Sequence, residues 1–310
     1  MAQSGFFKPC AAFLRPAWPG RYYIQTDKDG NLIIRCWGSR GSIAVSGKEF
    51  TKYGGDTTCI EIVSNAGDLI ILDAGTGIRP LGNRLMLEGR KKINLLLTHA
   101  HWDHLSGFPF FKPIYDKDCE IKVYGPEQTQ ESLKGIISKT MTSPYFPVEL
   151  EDISAKITFH GMGHKNYAIG SVKIETIPLS HPNQGVGYRI EEDGKSFVFL
   201  TDNELTYHHP IGLPYESYVK FASGADLLFH DAEYSRAEYK ETEGWGHSVY
   251  EDTVKLALDA GVKALGLFHH NQDRTDKEVD KIEKACRKII AEKGSKMKCF
   301  AVAAGLEIKL

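Results

Sequence analysis

The residues best able to do chemistry crowd into one stretch, Thr98-His99-Ala100-His101-Trp102-Asp103-His104. It holds three of the chain's 12 histidines within six positions, with a carboxylate between the second and the third. Imidazole nitrogens and carboxylate oxygens are the donors that zinc, manganese or iron(II) prefer. Spaced this closely on a loop, alternate side chains turn toward one centre while the next two reach a neighbouring one. The run follows residues 93–97, an apolar segment that reads as a buried strand and gives the loop a rigid mount. A solvated polar loop with coincidental histidines is the competing reading, and the density of donors argues against it.

Such a site needs more donors, and three positions offer them in one recurring context. His181 follows the strand-like residues 174–178, Asp202 follows 196–200, and the doublet His269-His270 follows 264–268. A lone histidine at a strand end is more often a hydrogen-bonded structural residue, but three such positions sharing one context point to ligands. In the doublet His269 is preferred because it follows the strand directly, and His270 is its rival.

The elements that must position these residues alternate between strand and helix. Residues 31–37, 57–63 and 68–73 read as strands punctuated by Gly38, Gly41, Gly54, Gly55, Gly75 and Gly77 as tight turns. Residues 78–90 have helical spacing. The second half repeats the style with strands at 174–178, 187–190, 196–200 and 226–229. A helix over 248–260 follows, with Ser248 as N-cap, then a strand at 264–268, a helix over 276–293 and a final strand at 300–302, with residues 305–309 after it. Residues 1–30 form an irregular N-terminal extension, and 31–310 the domain that carries these donors. Residues 126–153 read as a partly helical insertion or lid, ending in Pro144-Tyr145-Phe146-Pro147. Strands leading into short polar loops in both halves imply an α/β fold of two packed sheets with helices outside, its ligands gathered along one edge.

Bulk composition narrows the function. A chain of 310 residues with 42% hydrophobic and 25% charged residues is long enough for a sizeable core. A formal net charge of −2 argues against a broad basic footprint, so a small substrate is favoured over nucleic acid. The six cysteines include no C-x-x-C pair, which leaves neither a zinc ribbon nor a disulfide framework legible. Lys8, Pro9, Arg15 and Pro16 interrupt the apolar patch 6–18, and no run approaches the ~20 apolar residues of a membrane span. The expected location is the cytoplasm.

In combination these motifs resemble the metallo-β-lactamase superfamily over roughly Leu32 to the C-terminus. Its H-x-H-x-D-H motif is matched by His99, His101, Asp103 and His104, and its later motifs by His181, Asp202 and His269. The resemblance implies an αββα sandwich of two mixed sheets and a dinuclear centre, with zinc as the first expectation and manganese or iron as alternatives. It assigns His99, His101 and His181 to one metal and Asp103, His104 and His269 to the other, with Asp202 bridging. Within the superfamily the chain resembles the phosphodiesterase branch that includes ribonuclease Z. His230-Asp231-Ala232-Glu233 resembles that branch's H-E-A-T segment, with Asp231 where Glu is usual, and Gly246-His247-Ser248 resembles G-H-S-T. The resemblance thus implies His247 as proton donor to the leaving group, Asp231 as its orienting partner and Asp103 as an aid in orienting the attacking water. Asp73 matches a strand-end acid that supports the metal loop. Residues 40–43 and 53–57 resemble a subgroup of bacterial hydrolases. They read as turns, with Arg40 or Ser42 as a weaker possibility for touching an anionic ligand.

The activity so implied is a phosphodiesterase acting on a cyclic nucleotide or another small phosphodiester through a metal-bridging hydroxide. An RNA-processing endonuclease of ribonuclease Z type is the alternative, without an apparent long basic Gly/Pro-rich arm. Hydrolysis of a lactone, thioester or carboxylic ester is the third reading. No cysteine stands at a ligand-like strand end, against antibiotic hydrolysis, and His101 stands where a flavo-diiron site needs Glu. His160, His164, His208 and His209 lack the strand-end context and read as surface or structural. Dimers are frequent among relatives, so a homodimer is one implied state.

Overall fold

Strand after strand in this chain is either apolar throughout or alternates with period two, and the computed structural model pairs them into two sheets. It describes residues 32–126, 130–162 and 166–310. The N-terminal extension expected at 1–30 lies outside the described residues, as do Asn31, His164 and residues 127–129 of the expected insertion.

The strands are β1 (Ile33–Gly38), β2 (Cys59–Val63), β3 (Leu69–Leu72), β4 (Lys92–Leu96), β5 (Glu120–Pro126), β6 (Lys156–Met162), β7 (Tyr167–Ile169), β8 (Val172–Pro178), β9 (Val186–Glu192), β10 (Lys195–Leu200), β11 (Leu227–Asp231), β12 (Ala264–Phe268), β13 (Lys298–Ala301) and β14 (Glu307–Lys309). The helices are α1 (Ile78–Glu88), α2 (Trp102–Leu105), α3 (Gln130–Thr140), α4 (Tyr215–Ala222), α5 (Tyr239–Thr242), α6 (Tyr250–Asp259) and α7 (Asp276–Glu292). One sheet has the order β14-β1-β2-β3-β4-β5-β6 and the other β13-β12-β11-β10-β9-β8-β7, each mixing parallel and antiparallel pairs.

Alternation along β10 shows how the layers form. Phe197 and Phe199 face the core shared by the sheets, with Ile34, Ile62, Leu72, Phe229 and Phe268. Val198 and Leu200 face outward, under α4, α6 and α7. On the far side α1 and α3 cover the first sheet through Leu81, Leu85, Leu133 and Ile137. The architecture is therefore the expected αββα sandwich of two mixed sheets flanked by helices. Among the described residues no helix is long and apolar enough to cross a membrane.

Three local expectations change. Ser248 is not an N-cap: α6 begins after Val249 without a side-chain cap, and the Ser248 hydroxyl donates to the Asn203 carbonyl instead. Gly41 and Gly75 serve close approach rather than turning. A Cβ on Gly41 would stand 2.4 Å from the His269 ring, and one on Gly75 2.2 Å from the Asp103 carbonyl oxygen. Helix α3 within 126–153 packs into the core beside α1.

The sandwich delivers chemistry to one edge because β3, β4, β8, β10, β11 and β12 end there. Asp73, Asp202 and His269, each just beyond a strand, have φ of 61°, 47° and 58°. Left-handed backbone at non-glycine residues costs energy and gathers where a side chain must be aimed.

Candidate metal centre

The loop after β4 and the ends of β8, β10 and β12 place seven donor residues in two adjoining clusters. The first comprises His99, His101, His181 and Asp202, the second Asp103, His104, Asp202 and His269, and within each the ligand atoms lie within 4.8 Å of one another. Asp202 belongs to both. Its Oδ2 is 3.4 Å from His99 Nε2 and 3.8 Å from His181 Nε2, while its Oδ1 is 3.3 Å from His104 Nε2 and 3.4 Å from His269 Nε2. Asp103 Oδ2 completes the second cluster, 3.2 Å from His104 Nε2 and 3.1 Å from His269 Nε2. All seven residues named from the sequence therefore converge.

The surrounding hydrogen bonds aim the imidazoles. His104 Nδ1 donates to Asp73 Oδ2 at 2.8 Å, which leaves the Nε2 lone pair facing inward. His99 Nδ1 donates to Thr98 Oγ1 at 3.0 Å, and that hydroxyl donates to Asp73 Oδ2 at 2.8 Å. One buried carboxylate thus sets a ring in each cluster. His181 Nδ1 donates to the Gly246 carbonyl and His269 Nδ1 to Glu233 Oε2, at 3.0 and 2.8 Å. The Ser42 amide steadies Asp103 Oδ2 at 2.9 Å. Arg40 is a buried staple rather than an anion contact, its guanidinium donating to the carbonyls of Gly54, Asn271 and Arg274.

The donor set fits divalent cations. His99 Nε2 and His104 Nε2 are buried with no hydrogen-bond partner, which costs about 1–3 kcal/mol for an unsatisfied polar group. His181 Nε2 and His101 Nδ1 face each other at 2.9 Å, and a bound cation would take up both lone pairs. Burial drives His99 well below the ordinary histidine range and His181 to about 3, although Asp202 opposes both shifts. These rings are neutral donors.

A third group adjoins the second cluster. His247 Nδ1 donates to Asp231 Oδ2 at 2.6 Å and lies 3.4 Å from Glu233 Oε2, and its ring stacks on His269 with centroids 4.7 Å apart. Asp231 Oδ1 accepts the amides of Glu233 and Ser248, so the acid is fixed before it meets the imidazole. Burial alone would depress His247, but Glu233 and Asp231 together outweigh it and lift the ring to about 9. Glu233 is the residue that sequence reasoning missed. Its only signal was a second carboxylate two positions after Asp231, where the related segment has Thr. His270 falls outside the site: its Nε2 donates to the Val302 carbonyl and its ring lies against Tyr53. His209 is buried on Glu204, and His160 stacks on Tyr124.

The family model described as the beta-lactamase superfamily domain matches residues 69–270. A ribonuclease Z of Haloarcula marismortui is 25% identical over 254 residues, covering 67% of this chain and 78% of its own. Among solved structures, the metallo-β-lactamase fold protein YhfI from Bacillus subtilis superposes with a TM-score of 0.67 at 15% identity, over 91% of this chain and 100% of its own. A diphosphatase from the PhnP family gives 0.62 at 18% identity, over 90% and 98%. The two structural likenesses speak to the fold alone. The matched family model spans the strand-end acid Asp73, the 98–104 loop and the later donors up to His269, so the chain belongs to the beta-lactamase superfamily.

Proposed function

We propose that this protein is a metal-dependent phosphodiesterase acting on a cyclic nucleotide or another small phosphodiester. The observation that carries the reading is the placement of His247, held by Asp231 and Glu233, directly beside the two donor clusters. In this reading His99, His101 and His181 hold one cation, Asp103, His104 and His269 hold the other, and Asp202 serves both. Zinc is the first choice for an imidazole-rich set, with manganese or iron as alternatives. Two such cations would lower the pKa of a bound water and offset the charge building on the phosphoryl oxygens.

The chain's own groups supply the rest. Asp103, steadied by the Ser42 amide, orients the attacking water. His247 has Nδ1 engaged by Asp231, so Nε2 remains to give a proton to the departing oxygen, and the paired carboxylates keep that proton available near neutral pH.

A second reading is favoured by a specific observation, the similarity to proteins named ribonuclease Z. It makes the chain an RNA-processing endonuclease with the same residues in the same roles. Turnover of bis-p-nitrophenyl phosphate, cyclic nucleotides, precursor tRNA and lactones, with zinc and with manganese, separates these readings. Cleavage of small phosphodiesters is expected. Activity confined to precursor tRNA selects the endonuclease, and activity confined to lactones overturns both.

A further inference from the structure

Glu204 lies two residues beyond the shared carboxylate Asp202 and is wholly buried, yet the chemistry above leaves it without a task. Its Oε1 accepts the Gly244 amide at 2.7 Å and the Tyr239 hydroxyl at 2.6 Å. Its Oε2 accepts the Gly246 amide at 2.7 Å and faces His209 Nε2 at 2.9 Å. Four donors on one carboxylate, two of them backbone amides of a single loop, make a clamp.

The clamped loop serves two different groups with consecutive residues. The Gly246 carbonyl receives the Nδ1 proton of His181, and the next residue is His247. Gly246 has φ of +93°, and a Cβ there would stand 1.9 Å from His181 Nδ1, so backbone and imidazole are in the tightest contact the chain allows. From the other side the Glu204 amide donates to the Ser180 carbonyl, and Asn203 Oδ1 accepts the Ser180 amide, immediately before His181. The loop leaving β10 therefore contributes Asp202 directly and grips both Ser180 and Gly246, which flank His181.

We propose that Glu204 is a positioning residue that aims His181 at the first donor cluster by fixing the Gly246 carbonyl, and so ties that cluster to the loop bearing His247. The inference rests on the dinuclear reading above.

Metal binding and ring nitrogen NMR of the full chain test it. In Glu204→Gln the side-chain NH2 must turn toward either the Gly244 or the Gly246 amide, both of which can only donate, so the loop loses a bond without losing volume. In Glu204→Ala the loop loses both amide bonds. Zinc titration should show affinity for one of two ions falling about 10-fold in Glu204→Gln and up to about 100-fold in Glu204→Ala, with the other ion unchanged. In the metal-free variants His181 should also lose its single Nδ1-protonated tautomer. Tyr239→Phe removes a donor from the same buried group while leaving the Gly246 bond, and should bind both ions as the parent does. Unchanged affinity and tautomer in Glu204→Gln and Glu204→Ala, or an equal loss in Tyr239→Phe, overturns the proposal. A parent protein that binds no pair of ions instead defeats the underlying dinuclear reading, so the two failures are told apart.

Discussion

In the first donor cluster three imidazoles, those of His99, His101 and His181, share the single carboxylate of Asp202, whereas His247 and His269 lie between two, Asp231 and Glu233. All five histidines lose solvation, and burial pushes each toward neutrality. With one acid among three rings, burial wins. With two acids between two rings, charge wins and His247 keeps its proton to about 9. Identical side chains thus become lone-pair donors in one place and a proton donor a few ångströms away, decided by the local ratio of acids to imidazoles.

The comparison breaks most severely at the shared residue. Asp202→Ala should lose at least one ion by metal analysis and reduce turnover by about 10³-fold or more, roughly 4 kcal/mol of transition-state stabilisation. Retention of both ions would remove it from the bridge. His247→Ala should lower phosphodiester turnover by about 10²–10⁴-fold, the usual worth of a general acid, with metal content intact. Unchanged turnover there ends the leaving-group role.

Smaller changes sharpen the contrast. Asp73→Asn replaces the acceptor that orients His104 directly and His99 through Thr98, and should weaken metal binding by about 10–100-fold. Loss of only one ion would show that the Thr98 relay does not matter. Asp231→Asn acts on the other side of the ratio. His247 must be protonated to donate, so activity falls as pH rises through its pKa. Removing one of the two acids that raise it should move the alkaline limb of kcat/KM to lower pH. An unmoved limb would mean another group sets it.

How much of this the sequence shows depends on whether the donors are contiguous. Residues 98–104 carry four of them in six positions, a pattern legible without any fold. His181, Asp202 and His269 were legible because each follows the end of a strand within three residues, and the αββα layering followed from the same strands. The choice between His269 and His270 rested on direct adjacency alone. The structure explains it through the left-handed turn at His269, which sends the two rings to opposite sides. Glu233 and Glu204 were not legible, since a carboxylate in a polar loop gives no sign of burial until the loop is folded. Strands β6 and β7 also escape a reading by pattern: both lie at sheet edges, where half-exposed residues blur the alternation.

The most direct test of the central claim is a crystal structure of the zinc-loaded protein with anomalous scattering recorded at the metal edge. Two peaks are predicted, one among His99, His101 and His181 and one among Asp103, His104 and His269, with a carboxylate oxygen of Asp202 directed at each. A single peak, or ions bound elsewhere with Asp202 turned away, would contradict the account.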